Sequence, residues 1–214
     1  MERLTEILSA NKNEDNAYYM SKYMKFKFSY LGIKTPERRA LTKEFVKDLL
    51  DGEVKWDFIT WCFQQEEREY QYVALNYLDK VKDKLEKSDI SKLESLILTK
   101  SWWDTVDSIA PIVGFLARKY PQIKNAKIKE WVHSESIWLI RASIIFQLKY
   151  KEETDYDFLS YAIKNNLNTG EFFIDKAIGW QLRELSKINK NWVKVFIDEN
   201  QLSKLSIREG SKYI

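Results

Sequence analysis

Apolar residues recur at three- and four-residue spacing along almost the whole chain, and little interrupts that rhythm. Such a period puts one apolar stripe on each successive helix, and each stripe has to be buried against a neighbouring helix. Only six Gly and three Pro stand among 214 residues, too few for the turns of a many-stranded β fold. The spacing predicts helices over 2–10, 15–30, 36–50, 56–65, 68–86, 89–99, 102–120, 124–133, 136–151, 155–167, 171–188, 191–199 and 202–208. The punctuation agrees: Gly52 follows the apolar periodicity of KDLLD, Thr35 reads as a cap with Pro36 in the first turn behind it, and Ser88 and Asp89 offer another cap.

This length suits one sizeable core, and no Gly/Ser-rich or charge-block linker divides it, so a single domain over 1–214 is expected. Under the helices runs a weak repeat. Ala74, Ala110, Ala142 and Ala177 each sit mid-helix in an apolar run, about 35 residues apart. That spacing points to an all-α curved solenoid of stacked antiparallel helical hairpins, although HEAT repeats run to roughly 40–47 residues. An irregular helical bundle is the plainer alternative.

Several functional classes fall away on composition. One cysteine, Cys62, excludes a disulfide framework and a cysteine-cluster metal site. A single histidine, His133, argues against a His-based zinc site or a Ser-His-Asp triad, so neither a metal nor a cofactor is expected. No stretch approaches the roughly twenty apolar residues that span a bilayer, and the N-terminus MERLTEILSANKNED lacks a basic head and apolar run. A reducing cytoplasm is the expected compartment, with no membrane partner. The net charge of +3 permits a basic face but proves nothing about what it binds.

Three predicted helices carry residues that the core does not need. In SWWDTVDSIAP, residues 101–111, the core stripe takes Trp102, Val106, Ile109, Val113, Leu116 and Tyr120. Trp103 and Asp107, spaced i, i+4, fall roughly 100–140° from Trp102 on the helical wheel and share one face. Gly114 lies on that side and is expected to leave open space beside the carboxylate, while Pro111 is expected to bend or break the helix. Asp104 reads as a local capping residue. In SIWLIRASIIFQLKY, Arg141 interrupts the stripe of Ile137, Ile144, Ile145 and Leu148, a costly burial unless a carboxylate or phosphate meets it. In EFFIDKAIGWQLRELSK, Phe173 and Trp180 form an aromatic stripe apart from the core positions Ile174, Ile178, Leu182 and Leu185. Lys176, Arg183 and Lys187 run beside it, and aromatic surface bordered by cations suits a nucleic-acid backbone. Each feature also has a structural reading: a packed Trp103, a solvated Asp107, an Arg141 ion pair, a second helix interface at Phe173.

The runs SWWDTVDSIAP, IWLIRASI, FFIDKAIGWQLRE and the earlier YLGIKTPERR, in this order between about Tyr19 and Ile188, resemble the AlkD family of HEAT-like-repeat alkylpurine DNA glycosylases. The resemblance implies that Asp107 is the catalytic carboxylate, that Trp103 and Trp180 are the tryptophans at the sugar, and that Arg141 positions Asp107 or binds a flanking phosphate. Lys34 stands where a glutamine is expected in close relatives. Duplex DNA carrying alkylated purines is the implied partner, met by a monomer through a basic concave face that includes Lys149, Arg183 and Lys187.

Such chemistry fits a site with one obvious acid. Glycoside hydrolysis ordinarily uses two carboxylates, one to protonate the leaving group. A base that is already cationic, such as N3-methyladenine or N7-methylguanine, departs as a neutral purine and needs no general acid. Asp107 then stabilises the positive sugar and holds the water, with tryptophan π faces against the deoxyribose. No lysine nucleophile is implied, so no strand cleavage is expected. Two alternatives stay open: a non-catalytic helical-repeat protein that binds distorted or branched DNA by shape, and a protein-interaction scaffold.

Overall fold

A computed structural model describes residues 1–214. It contains fourteen α-helices and no strand, only one isolated bridge between Ser29 and Glu67. The residues gather into two compact units, Met1–Leu85 and Glu86–Ile214.

The first unit holds α1 (Glu2–Ser9), α2 (Glu14–Tyr23), α3 (Thr35–Leu41), α4 (Lys43–Asp48), α5 (Trp56–Gln64) and α6 (Arg68–Val81). Its core includes Leu4, Leu8, Ile59, Cys62, Val73, Ala74 and Leu78, all with no exposed surface. The helix predicted over 15–30 stops at Tyr23, because the chain turns through left-handed Lys25 (φ 56°) and Phe26 (φ 54°). The loop beyond is tied down by one buried acid. Glu69 on α6 accepts the backbone N–H groups of Leu31, Gly32 and Ile33 at 3.0, 2.9 and 3.1 Å. Burial pushes its carboxyl up, and these three bonds oppose the push. Gly32 is required there: at φ 86° a Cβ would come within 1.9 Å of the Asn13 carbonyl oxygen. The helix expected over 36–50 divides at Thr42, and Lys34 rather than Thr35 caps α3.

The second unit holds α7 (Ile90–Leu98), α8 (Trp103–Lys119), α9 (Lys129–Trp131), α10 (Ile137–Ile145), α11 (Tyr156–Lys164), α12 (Phe172–Ser186), α13 (Lys190–Glu199) and α14 (Lys204–Gly210). A π-helical turn, Lys124–Ile128, leads into α9. Helices α8, α10, α12 and α14 pack in that order, each on the next. Helix α7 lies against α8 and α10, α9 and α11 against α10, and α13 against α12. Ala110, Ala142 and Ala177, on three consecutive members of the series, are wholly buried, so the weak alanine repeat marks where these helices meet.

Of the bend or break expected at Pro111 no break occurs, and the open space expected at Gly114 is absent. Pro111 lies inside a helix that continues to Lys119. Ile109, Ala110, Ile112 and Val113 around it are buried, and packing of that kind outweighs one lost backbone bond. Gly114 leaves no open space either. Its missing side chain admits the end of α10: a Cβ there would come within 2.1 Å of the Phe146 carbonyl oxygen. Tyr150 Oη also donates to the Gly114 carbonyl at 2.7 Å. Gly114→Ala should therefore force backbone apart and destabilise the protein by about 1–3 kcal/mol, read as a lowered thermal midpoint; an unchanged midpoint would show that α8 and α10 do not need this approach.

Candidate active site

Arg141 is the hub of the site. On α10 it stands amid Leu139, Ile140, Ala142 and Ser143, all buried, so its guanidinium needs partners at every donor. Nε donates to Asp107 Oδ1 at 2.7 Å and Nη2 to Oδ2 at 2.8 Å, a two-pronged clamp on the carboxylate of α8. Nη1 donates to the Phe173 carbonyl oxygen on α12 at 2.6 Å. One side chain thus ties three consecutive helices together. The Arg141 side chain is only 6% exposed, whereas that of Asp107 keeps 17%, so the carboxylate is the member of the pair that solvent or a ligand reaches. Burial pushes the Asp107 carboxyl above the ordinary aspartate range; Arg141 opposes this, and Asp104 adds a small upward push.

An aromatic group borders the pair. Trp102 lies 5.0 Å from Phe173 edge-to-face and 5.5 Å from Trp138, and Trp138 lies 4.9 Å from Phe173, all between ring centroids. Phe172, 55% exposed, meets Phe173 edge-to-face at 5.3 Å. Trp102 is therefore not part of the core stripe. It is the extended N-cap residue of α8, with φ −159° and ψ 164°, so helical spacing does not apply to it, and it is half-buried. Trp138 was missed at the sequence level, although it stands three residues before Arg141 on the same side of α10.

The other expected residues are spread over α8, α12 and segments outside them. Trp103 opens α8 one turn before Asp107, and Trp180 lies on α12 two turns beyond Phe173; both are half-buried. Lys176 and Arg183 are gathered on a residue that the sequence did not single out. Glu209 on α14 accepts Lys176 Nζ at 3.1 Å, Arg183 Nη1 at 3.3 Å and Lys212 Nζ at 2.7 Å, with Arg208 at 3.7 Å. The Lys212 ammonium first, and then that of Lys176, draws its carboxyl down to about 2. Gly179 makes this possible, since a Cβ on α12 would come within 2.6 Å of Glu209 Cβ. Lys187 pairs with Glu184 at 2.6 Å, and its ammonium sits 5.3 Å above the Tyr213 ring. Lys149 is exposed just past α10, and Lys34 is exposed at the start of α3 in the first unit. No cluster of three or more His, Cys, Asp or Glu side chains stands close enough to hold a metal ion, and no helix is long and apolar enough to cross a membrane.

These features define an all-α protein of stacked helix pairs, with a guanidinium-clamped carboxylate at the edge of an aromatic group. The profile of the family described as "DNA alkylation repair enzyme" matches residues 4–214. The chain belongs to that family. A solved structure described as a predicted DNA alkylation repair enzyme from Enterococcus faecalis is 36% identical; the match covers 95% of this chain and 96% of that one, with a TM-score of 0.90. Comparison with curated proteins finds no match.

Proposed function

We propose that the chain is a monofunctional DNA glycosylase that removes cationic alkylated purines, such as N3-methyladenine and N7-methylguanine, from duplex DNA. The observation that carries the reading is Asp107, a partly exposed carboxylate whose two oxygens are both held by Arg141. Accepting from a cation at both oxygens is the bonding pattern of an ionised carboxylate. Membership of a DNA alkylation repair family supports DNA as the partner.

In the reaction the bond between C1′ and the base nitrogen breaks, and its electron pair neutralises the charge on the purine. The deoxyribose is left with positive character. Asp107 lowers the energy of that charge and orients a water, whose oxygen bonds to C1′ as one of its protons passes to bulk water. Trp103 and Trp180 present negative π faces to the same charge. Three of the five N–H donors of Arg141 are spent on Asp107 and the Phe173 carbonyl, which supports a positioning role for it. Lys34, Lys149, Lys176, Arg183 and Lys187 supply sequence-independent attraction for the DNA backbone, and Phe173 adds aromatic surface to the DNA contact.

The products are a free purine and an abasic sugar in an unbroken strand. An alkylated duplex incubated with the protein should therefore stay intact until alkali is added and then break at the lesion; no alkali-labile sites would refute the reading. Borohydride should trap no covalent complex, because the mechanism uses no Schiff base. A trapped complex would show a lysine nucleophile instead.

A further inference from the structure

We propose that residues 18–27 form a second nucleic-acid surface, a platform on which unpaired bases stack. The run YYMSKYMKFK contains four aromatic residues, three lysines and no acid. Its rings are not core: Tyr18 is 55% exposed, Tyr19 66%, Tyr23 74% and Phe26 62%. So much aromatic surface in one place forgoes burial that folding normally takes, and a contiguous patch of that kind marks a contact surface.

The backbone holds the rings in place. Lys25 and Phe26 are consecutive residues with φ of 56° and 54°, a conformation that bulky side chains avoid. Phe26 N–H donates to the Ser21 carbonyl at 2.7 Å, and Ser21 Oγ to the Phe28 carbonyl at 3.1 Å. Met24, between them, is 3% exposed and anchors the turn in the core. The result puts the Phe26 ring 5.9 Å from Tyr18, which meets Tyr19 edge-to-face at 5.5 Å.

Charge selects the occupant. Lys22, Lys25 and Lys27 are exposed among the rings; the nearest acids in sequence, Glu14 and Asp15, lie in the first turn of α2, and Glu66 accepts from Ser29 just beyond the run. A polyanion is favoured, and two copies of the patch would repel each other. Rings bind bases through their π faces, which are covered in a duplex and free in a single strand. The proposal does not rest on the glycosylase reading.

Fluorescence anisotropy with an oligothymidylate of roughly a dozen nucleotides and an undamaged duplex of the same length tests it. Replacing Tyr18, Tyr19 and Phe26 together by Ala should weaken oligothymidylate binding at least about tenfold and duplex binding less than about threefold, with the thermal midpoint kept. Replacing Lys22, Lys25 and Lys27 by Ala should flatten the salt slope on the oligothymidylate by about two. Oligothymidylate binding that is absent in the unaltered protein, unchanged in the aromatic triple variant, or lost in step with duplex binding would overturn the proposal. So would a wild-type dimer that the aromatic substitutions dissociate, or binding to anionic vesicles in place of the oligonucleotide. Base release from alkylated duplex, measured in parallel, tests the glycosylase reading separately.

Discussion

Replacing Asp107 by Asn should slow release of 7-methylguanine from methylated duplex by about 10²–10³-fold and leave duplex affinity within about threefold. The size follows from what is removed. Asn keeps the shape and can still accept from Arg141, but it presents no negative charge to a sugar that becomes positive as the base leaves. A group that acts only as charge develops contributes to the chemical step and little to binding. Single-turnover release with protein in excess, beside anisotropy on the same duplex, separates the two. Equal losses in both would make Asp107 a binding residue.

Arg141→Ala should be the most damaging change to the fold, destabilising it by about 3–5 kcal/mol. It leaves the Asp107 carboxylate partly buried without its cation and the Phe173 carbonyl without its donor. The penalty also depends on pH. Burial already raises the Asp107 carboxyl in the native protein, and Arg141 holds that rise in check. Without the guanidinium the folded-state pKa rises further above the ordinary value of about 3.9. A native acid that holds its proton more tightly than the unfolded chain loses stability as pH rises through that interval. The variant should thus be weakest near neutrality and recover part of the deficit as pH falls towards the unfolded value, followed by urea denaturation at several pH values. In parallel, the acid limb of base release should move to higher pH than in the unaltered protein, because Asp107 is active only when ionised. A pH-independent stability loss would mean that Arg141 serves packing alone.

Much of this site can be read from spacing, and the rest fails for identifiable reasons. Trp103 and Asp107 share a face because α8 is regular from Trp103 onward, and Arg141 signalled a partner because a guanidinium in an apolar stripe requires one. That the partner is Asp107 rests on the packing of α10 against α8, a relation 34 residues long in sequence. Trp102 misled because it lies one residue before the helix, where the period does not hold. Gly114 misled because its meaning comes from Phe146 on the neighbouring segment. Glu209 had no local signal: its four cations come from α12, α14 and the residues after α14, brought together by a close approach at Gly179. The turn at Lys25 and Phe26 was hidden for the opposite reason, since neither residue favours a left-handed backbone and the apolar rhythm continues past it.

The central claim is that a single carboxylate suffices because the leaving base carries its own positive charge. The most direct measurement compares free bases released from matched duplexes containing N7-methylguanine or a neutral altered base such as hypoxanthine, separated by chromatography. N7-methylguanine should appear and hypoxanthine should stay in the strand, with N7-methylguanine release slowed about 10²–10³-fold in the Asp107→Asn protein. Release of hypoxanthine at a comparable rate would contradict the account, because it would require a general acid at the site.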